Sequence, residues 1–91
     1  MQLNVSHDPA AQEFSARVEG HRAELQYRLS DGVMTIVHTG VPEEIGGRGV
    51  AAELMRMALE AARANGWKVV PTCAYAEVFM RRHREYADLL R

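Results

Sequence analysis

The chain has 91 residues, 47% apolar and 25% charged, and a formal net charge of −1, which predicts one domain over residues 1–91 and excludes bulk attraction to nucleic acid or to an anionic membrane. No apolar run approaches the roughly 20 residues of a membrane span. The start "MQLNVSHDPAAQ" lacks the pattern of a secretory leader, and the lone Cys73 closes no intrachain disulfide, so a cytoplasmic protein is expected.

In chain order, "QLNVS" and "EFSARV" read as short strands separated by the turn "HDPAA" and followed by the turn "EG". "AELQYRLS" alternates, with Ala23, Leu25, Tyr27 and Leu29 on one side and Glu24, Gln26 and Arg28 on the other, the pattern of a half-buried strand. Asp31-Gly32 is a two-residue hairpin signal. "VMTIVHTGV" is β-branched and mostly apolar, so a strand covered on both faces is expected.

The period then changes. From Arg48 to Asn65 the chain reads as a helix whose apolar stripe is Val50, Leu54, Met57, Ala58 and Ala61, widened by Met55, Leu59 and Ala62. Glu53, Arg56, Glu60 and Arg63 form the opposite, solvated face. Asn65-Gly66 ends the helix. "WKVVPT" is a short strand closed by Pro71, with Trp67 expected in the core. "AYAEVFMRRH" forms a second helix, and "REYADLL" a last turn. The expected fold is α/β (α+β), in the order β-β-β-β-α-β-α, with a mixed, mostly antiparallel sheet. The long helix would cross over between parallel neighbours.

"IGGRGVAAELM", Ile45–Met55, lies at the first strand-to-helix turn, where α/β folds bind ligands. A helix start offers unpaired N–H groups and partial positive charge. Gly47 and Gly49 remove the β-carbons that would hold a diphosphate off, and Arg48 adds a cation. Neither the Lys-Ser/Thr pair of a Walker A loop nor the dinucleotide spacing G-x-G-x-x-G is present.

"VPEEIGGRGVAAEL" resembles motif A, R/Q-x-x-G-x-G/A, of the GNAT superfamily of N-acetyltransferases, with Gly49 and Ala51 at its last two positions. With "HT-x-V-P" before it and "VVPTCAY" after it, the stretch from Ala23 to Leu89 is similar to the short stand-alone acetyltransferase-like family. The resemblance implies a minimal GNAT-like fold with a motif A helix, and acetyl-CoA as co-substrate. It implies binding of the pyrophosphate by backbone N–H groups of Gly46, Gly47, Arg48, Gly49, Val50 and Ala51. The pantetheine arm would pair with the strand at His38, Thr39 and Val41. The acceptor would be an amine, on a small molecule or a protein.

The chain departs from that pattern. The first motif position is Gly46, so a bracing side chain is missing. The tyrosine that protonates the leaving thiolate in larger members falls on Met80, which has no proton to donate. Arg84 stands where the family has proline. Cys73 follows a strand and opens a helix, a place that favours thiolate, and is the candidate acyl carrier. His38 is the candidate base, since imidazole titrates near neutrality. Glu43, Glu44 and Tyr75 are secondary candidates for proton transfer, and Arg81, Arg82 and His83 for phosphate contact. The four histidines have no ligand spacing, so no metal is expected. The reading is an acetyl-CoA-dependent N-acetyltransferase. A non-catalytic CoA-binding module and a protein–protein module are the alternatives.

Overall fold

The computed structural model describes residues 3–91. Four strands, β1 (Val5–Asp8), β2 (Glu13–Val18), β3 (His21–Ser30) and β4 (Val33–Gly40), form an antiparallel meander. Helix α1 (Val50–Asn65) then leads to β5 (Lys68–Pro71), which lies parallel beside β4. Helix α2 (Ala74–Arg82) and a 3₁₀ turn (Arg84–Leu89) complete the chain. The sheet order is β1-β2-β3-β4-β5, and the element order is the one expected.

Turn chemistry fixes the meander. Glu19-Gly20 has φ of 50° and 81°, and Asp31-Gly32 has 50° and 74°. Both pairs supply the two left-handed residues that a hairpin matching the strand twist requires. Gly66, also left-handed, donates its N–H to the carbonyls of Ala62 and Arg63 and closes α1.

Alternation sets the layers. Phe14, Ala16 and Val18 of β2, Ala23, Leu25 and Tyr27 of β3, Met34 and Ile36 of β4, and Val69 of β5 are buried on one face. Leu54, Met55, Ala58, Leu59 and Ala62 of α1 and Ala76, Phe79 and Met80 of α2 join the same core. The residues between, among them Glu13, Ser15, Arg17, Arg22, Glu24 and Gln26, face the other way and are not buried. Both helices therefore cover one face, and the opposite face has no layer over it among the described residues.

Two expectations are corrected. β4 is not covered on both faces: Val33 and Thr35 are half-buried and Val37 is 39% exposed. Its β-branched run reflects strand propensity rather than two-sided burial. In α1, Met57 is 43% exposed, whereas Met55 and Leu59 are fully buried. The stripe is rotated because α1 rests over β2 and β3 and also meets α2. Trp67 packs against the core without being buried in it.

The outer edge of β5 is held by the C-terminus. Arg91 N–H donates to Val69 O at 3.1 Å, and Val69 and Leu90 form a parallel bridge. Arg63 leaves the helical charge ladder to pair with both carboxylate oxygens of Asp88, at 2.7 and 3.1 Å.

At the other edge, the His7 ring stacks on Phe14 at 4.0 Å, and its Nε2 is 2.6 Å from the Tyr27 hydroxyl. Burial lowers the His7 pKa, against an opposing pull from Asp8. The folded state then favours neutral imidazole. Its stabilising contribution is present above the unfolded value of about 6.5 and is lost as pH falls through the lower folded value. The urea midpoint is expected to drop between pH 7.5 and pH 5, and to drop less in His7→Gln. Equal drops would show that His7 does not carry the effect.

Candidate functional site

β4 and β5 part company before β4 ends. Their pairing stops at Ile36 opposite Pro71, and the N–H groups of Thr72 and Cys73 both point at Ile36 O, at 3.1 and 3.3 Å. From Val37 to Gly40, β4 pairs with β3 alone. A bulge marks the same point: Tyr27 faces Ile36 and Gln26 faces His38, so Val37 has no partner. The β5 side of β4 is thus an open notch, with backbone unpaired among the described residues along it and Cys73 at its closed end.

The bulge also decides which side chains face which layer. Directly paired residues in a sheet share a face. His38 pairs with Gln26 and stands on the uncovered face, while Thr39 pairs with buried Leu25 and stands on the helix face. A Cβ added to Gly40 would lie 2.9 Å from His38 Nε2 and 3.4 Å from Glu24 Oε2. Imidazole and carboxylate therefore lean over the same glycine.

Cys73 is the N-cap of α2, and its Sγ accepts the Ala76 N–H at 3.4 Å. Thr39 Oγ1 lies 3.7 Å from the same sulfur. The thiol is half-buried, on the helix face. Cys73 and His38 thus border one notch from opposite faces and do not form a bonded pair. Val41 continues the line of β4 and packs against the core.

A 3₁₀ turn (Glu43–Ile45) anchors the next segment by burying Ile45. Gly47 and Gly49 follow with φ of 76° and 79°, conformations that disfavour L side chains, and a Cβ on either would meet nothing within 4 Å. The N–H groups of Gly47, Arg48, Gly49, Val50, Ala51 and Ala52 donate no hydrogen bond among the described residues, and α1 has no side-chain cap. Six consecutive donors at the start of a 16-residue helix fit a diphosphate.

Two members of the expected set stand differently. Gly46 has φ −66°, and its N–H already donates to Glu43 O at 3.0 Å, so it has no donor to offer. The Arg48 guanidinium is not free above the turn. It grips Glu19, with contacts at 2.6 and 3.2 Å, and so ties the glycine turn to the β2–β3 turn. That hydrogen bond lowers the Glu19 pKa and raises that of Arg48. The sequence distance of 29 residues hid this pair.

Met80 is buried at 2% exposure, which removes it from any proton transfer. Tyr75 is 37% exposed on the first turn of α2, and desolvation raises its pKa. Glu43 and Glu44 are exposed, Arg81 pairs with Glu77 at 2.7 Å, and His83 stacks on Phe79 at 3.8 Å. Among the described residues no cluster of three or more His, Cys, Asp or Glu side chains forms a metal site, and no helix is long and apolar enough to cross a membrane.

Comparisons with known proteins place the fold among relatives. The pattern of the GCN5-related N-acetyl-transferase family matches residues 13–89. Protein NATD1 of Mus musculus is 31% identical over 84 residues, covering 89% of this chain and 76% of the relative. NATD1 of Danio rerio is 31% identical over 91 residues, covering 94% and 83%. The solution structure of a GCN5-like protein from Staphylococcus aureus superposes with a TM-score of 0.78 at 29% identity, covering 98% of this chain and 88% of that one.

Proposed function

Because the chain belongs to the GCN5-related N-acetyl-transferase family, we propose that it is an acetyl-CoA-dependent N-acetyltransferase acting on an amine through Cys73. One observation carries the reading: six unused N–H groups lead into a notch of unpaired strand that closes on a cysteine. The donors of Gly47 to Ala52 suit the pyrophosphate. The free edge of β4 at His38 and Thr39 suits the amide-bearing pantetheine arm, which pairs with backbone as an added strand would. Acetyl-CoA is an intracellular metabolite, so the reading implies a cytoplasmic setting.

The thioester then reaches the end of the notch. Cys73 Sγ, held by the Ala76 N–H at the start of α2, is the nucleophile. Cys73 sulfur attacks the acyl carbon as the thiolate, the bond to the CoA sulfur breaks, and CoA leaves as its thiolate. An amine entering from the uncovered face attacks the acyl-cysteine. A C–N bond forms, the C–S bond breaks, His38 takes the amine proton, and Cys73 returns to thiolate. The order gives ping-pong kinetics.

The test is calorimetric titration with acetyl-CoA and with CoA, followed by intact-mass analysis. The expected result is binding and one acetyl adduct, absent in Cys73→Ala. Buried Met80, which leaves the usual acid missing, favours a second reading as a CoA-binding module. That reading gains if acetyl-CoA binds, no adduct forms and no amine is acetylated. Acetylation without an adduct would mean direct transfer at the same site. No binding at millimolar ligand would leave the turn purely structural.

A further inference from the structure

The uncovered sheet face carries an uneven set of charges. At the notch end are Glu24 and His38, leaning over Gly40. Two residues along β3 is Arg22, whose guanidinium contacts Glu13 and, at 3.5 Å, Glu24 Oε1. Directly opposite Arg22 on β2 is Arg17. Like charges placed opposite each other on a sheet are unfavourable unless an anion offsets them. The carboxylates near Arg22 offset only one of the pair. Arg17 has no carboxylate partner among the described residues, and its guanidinium donates to Gly20 O at 3.3 Å.

Beside Arg17 the face is concave. A hollow of about 370 Å³ is lined by Asn4, Ser6, Ser15, Ala16, Arg17 and Arg22. Ser6 and Ser15 are cross-strand partners, so their hydroxyls share this face. A guanidinium with two hydroxyls and an amide is a donor-rich cradle suited to a carboxylate or phosphate. Ser15 lies opposite Glu24, and Glu24 opposite Gly40, so hollow and notch are joined by one row across the sheet. Strand spacings place the two ends about 8–10 Å apart.

We propose that this face binds the acceptor, and that the acceptor is a small aliphatic amine with an acidic group at its far end: its ammonium lies at Glu24 and His38, its anion in the hollow at Arg17, Ser6 and Ser15. The proposal rests on the acetyltransferase reading for its meaning, but the hollow is testable without turnover. A chain of roughly six to eight carbons, at about 1.5 Å per bond, spans the row.

The experiment is amide-shift titration by NMR of the CoA-bound chain with 8-aminooctanoate and with 1,8-diaminooctane. The amino acid is expected to shift Ser6, Ser15, Arg17 and Glu24, and to bind about tenfold more tightly than the diamine, the scale of one charge-assisted contact. Arg17→Gln should erase the preference and Arg17→Glu should reverse it, with the remaining amide shifts unchanged as evidence of the fold. Equal affinities, shifts elsewhere, or indifference to Arg17→Glu would overturn the acceptor class. CoA binding is read separately, at the amides of Gly47 to Ala52. If those fail to move while the hollow responds, the transferase reading fails and the anion hollow stands.

Discussion

Gly49→Val is expected to weaken CoA binding at least a hundredfold while leaving the chain folded. Gly49 holds φ at 79° as the residue that opens α1. An L side chain there costs roughly 1–2 kcal/mol, and a β-branched one more. The strain is not relieved by unfolding, because an added Cβ meets no atom within 4 Å and the helix behind it is buried at Val50, Leu54 and Met55. It is relieved by turning the peptide units on either side. Those units carry the N–H groups of Gly49 and Val50, and turning them takes two donors away from the diphosphate. Charge-assisted hydrogen bonds contribute about 1.5–3 kcal/mol each, so losing two costs about 3–6 kcal/mol of binding. Calorimetry measures the loss and thermal unfolding the intact fold. Gly46→Ala is the internal contrast. Its φ of −66° suits alanine, the added Cβ makes one tight contact of 3.3 Å with Glu43 O, and its N–H is already used. CoA binding within a few-fold of the parent is expected there. Unchanged affinity in Gly49→Val would sink the assignment of the turn.

That contrast could not be drawn from the string "IGGRG" alone. Spelling reveals three glycines, but only backbone angles tell which two are left-handed. The same division runs through the chain. Local rules made the meander, α1, its Asn65-Gly66 end and β5 legible, because hairpin turns, helical period and caps are decided by neighbours. What depended on distant partners was not legible. Val37 looks like any residue of an apolar strand, yet its bulge exchanges the faces of the residues after it, sending His38 to the uncovered face and Thr39 to the helix face, as a one-residue slip always does. Arg48 reads as a phosphate ligand until Glu19, from another hairpin, takes its guanidinium. An exposed pair of this kind adds little stability. Its consequence is geometric: with no side chain at Gly46 to brace the turn, the brace comes from Glu19 through Arg48.

The uncovered sheet face follows from the same topology. α1 and α2 pack on one side, and the described chain offers no third helix for the other. A notch open to both faces then lets an acyl donor and an amine meet from different sides. In the proposed reaction the donor lies along β4 towards Cys73, and the amine approaches over Glu24 and His38.

The separation of those two side chains predicts separable defects. In His38→Gln the acetyl adduct on Cys73 is expected to form at near the parental rate, because His38 makes no contact with the thiol and stands on the other face. Breakdown of that adduct by a simple primary amine such as ethylamine should slow by about 10²–10⁴, the range for removing a general base. In Cys73→Ala no adduct forms, since the nucleophile itself is gone, and the Thr39 hydroxyl beside it is left intact. The double variant should be no slower than Cys73→Ala, because a base for the second half-reaction has nothing to act on once the first is lost. Time-resolved intact mass in the presence and absence of amine reads both steps. If His38→Gln slows adduct formation and breakdown alike, the imidazole reaches Cys73 through the notch and the two faces act as one centre. If Cys73→Ala still acetylates ethylamine at the parental rate, the cysteine is a helix cap and the amine attacks acetyl-CoA directly.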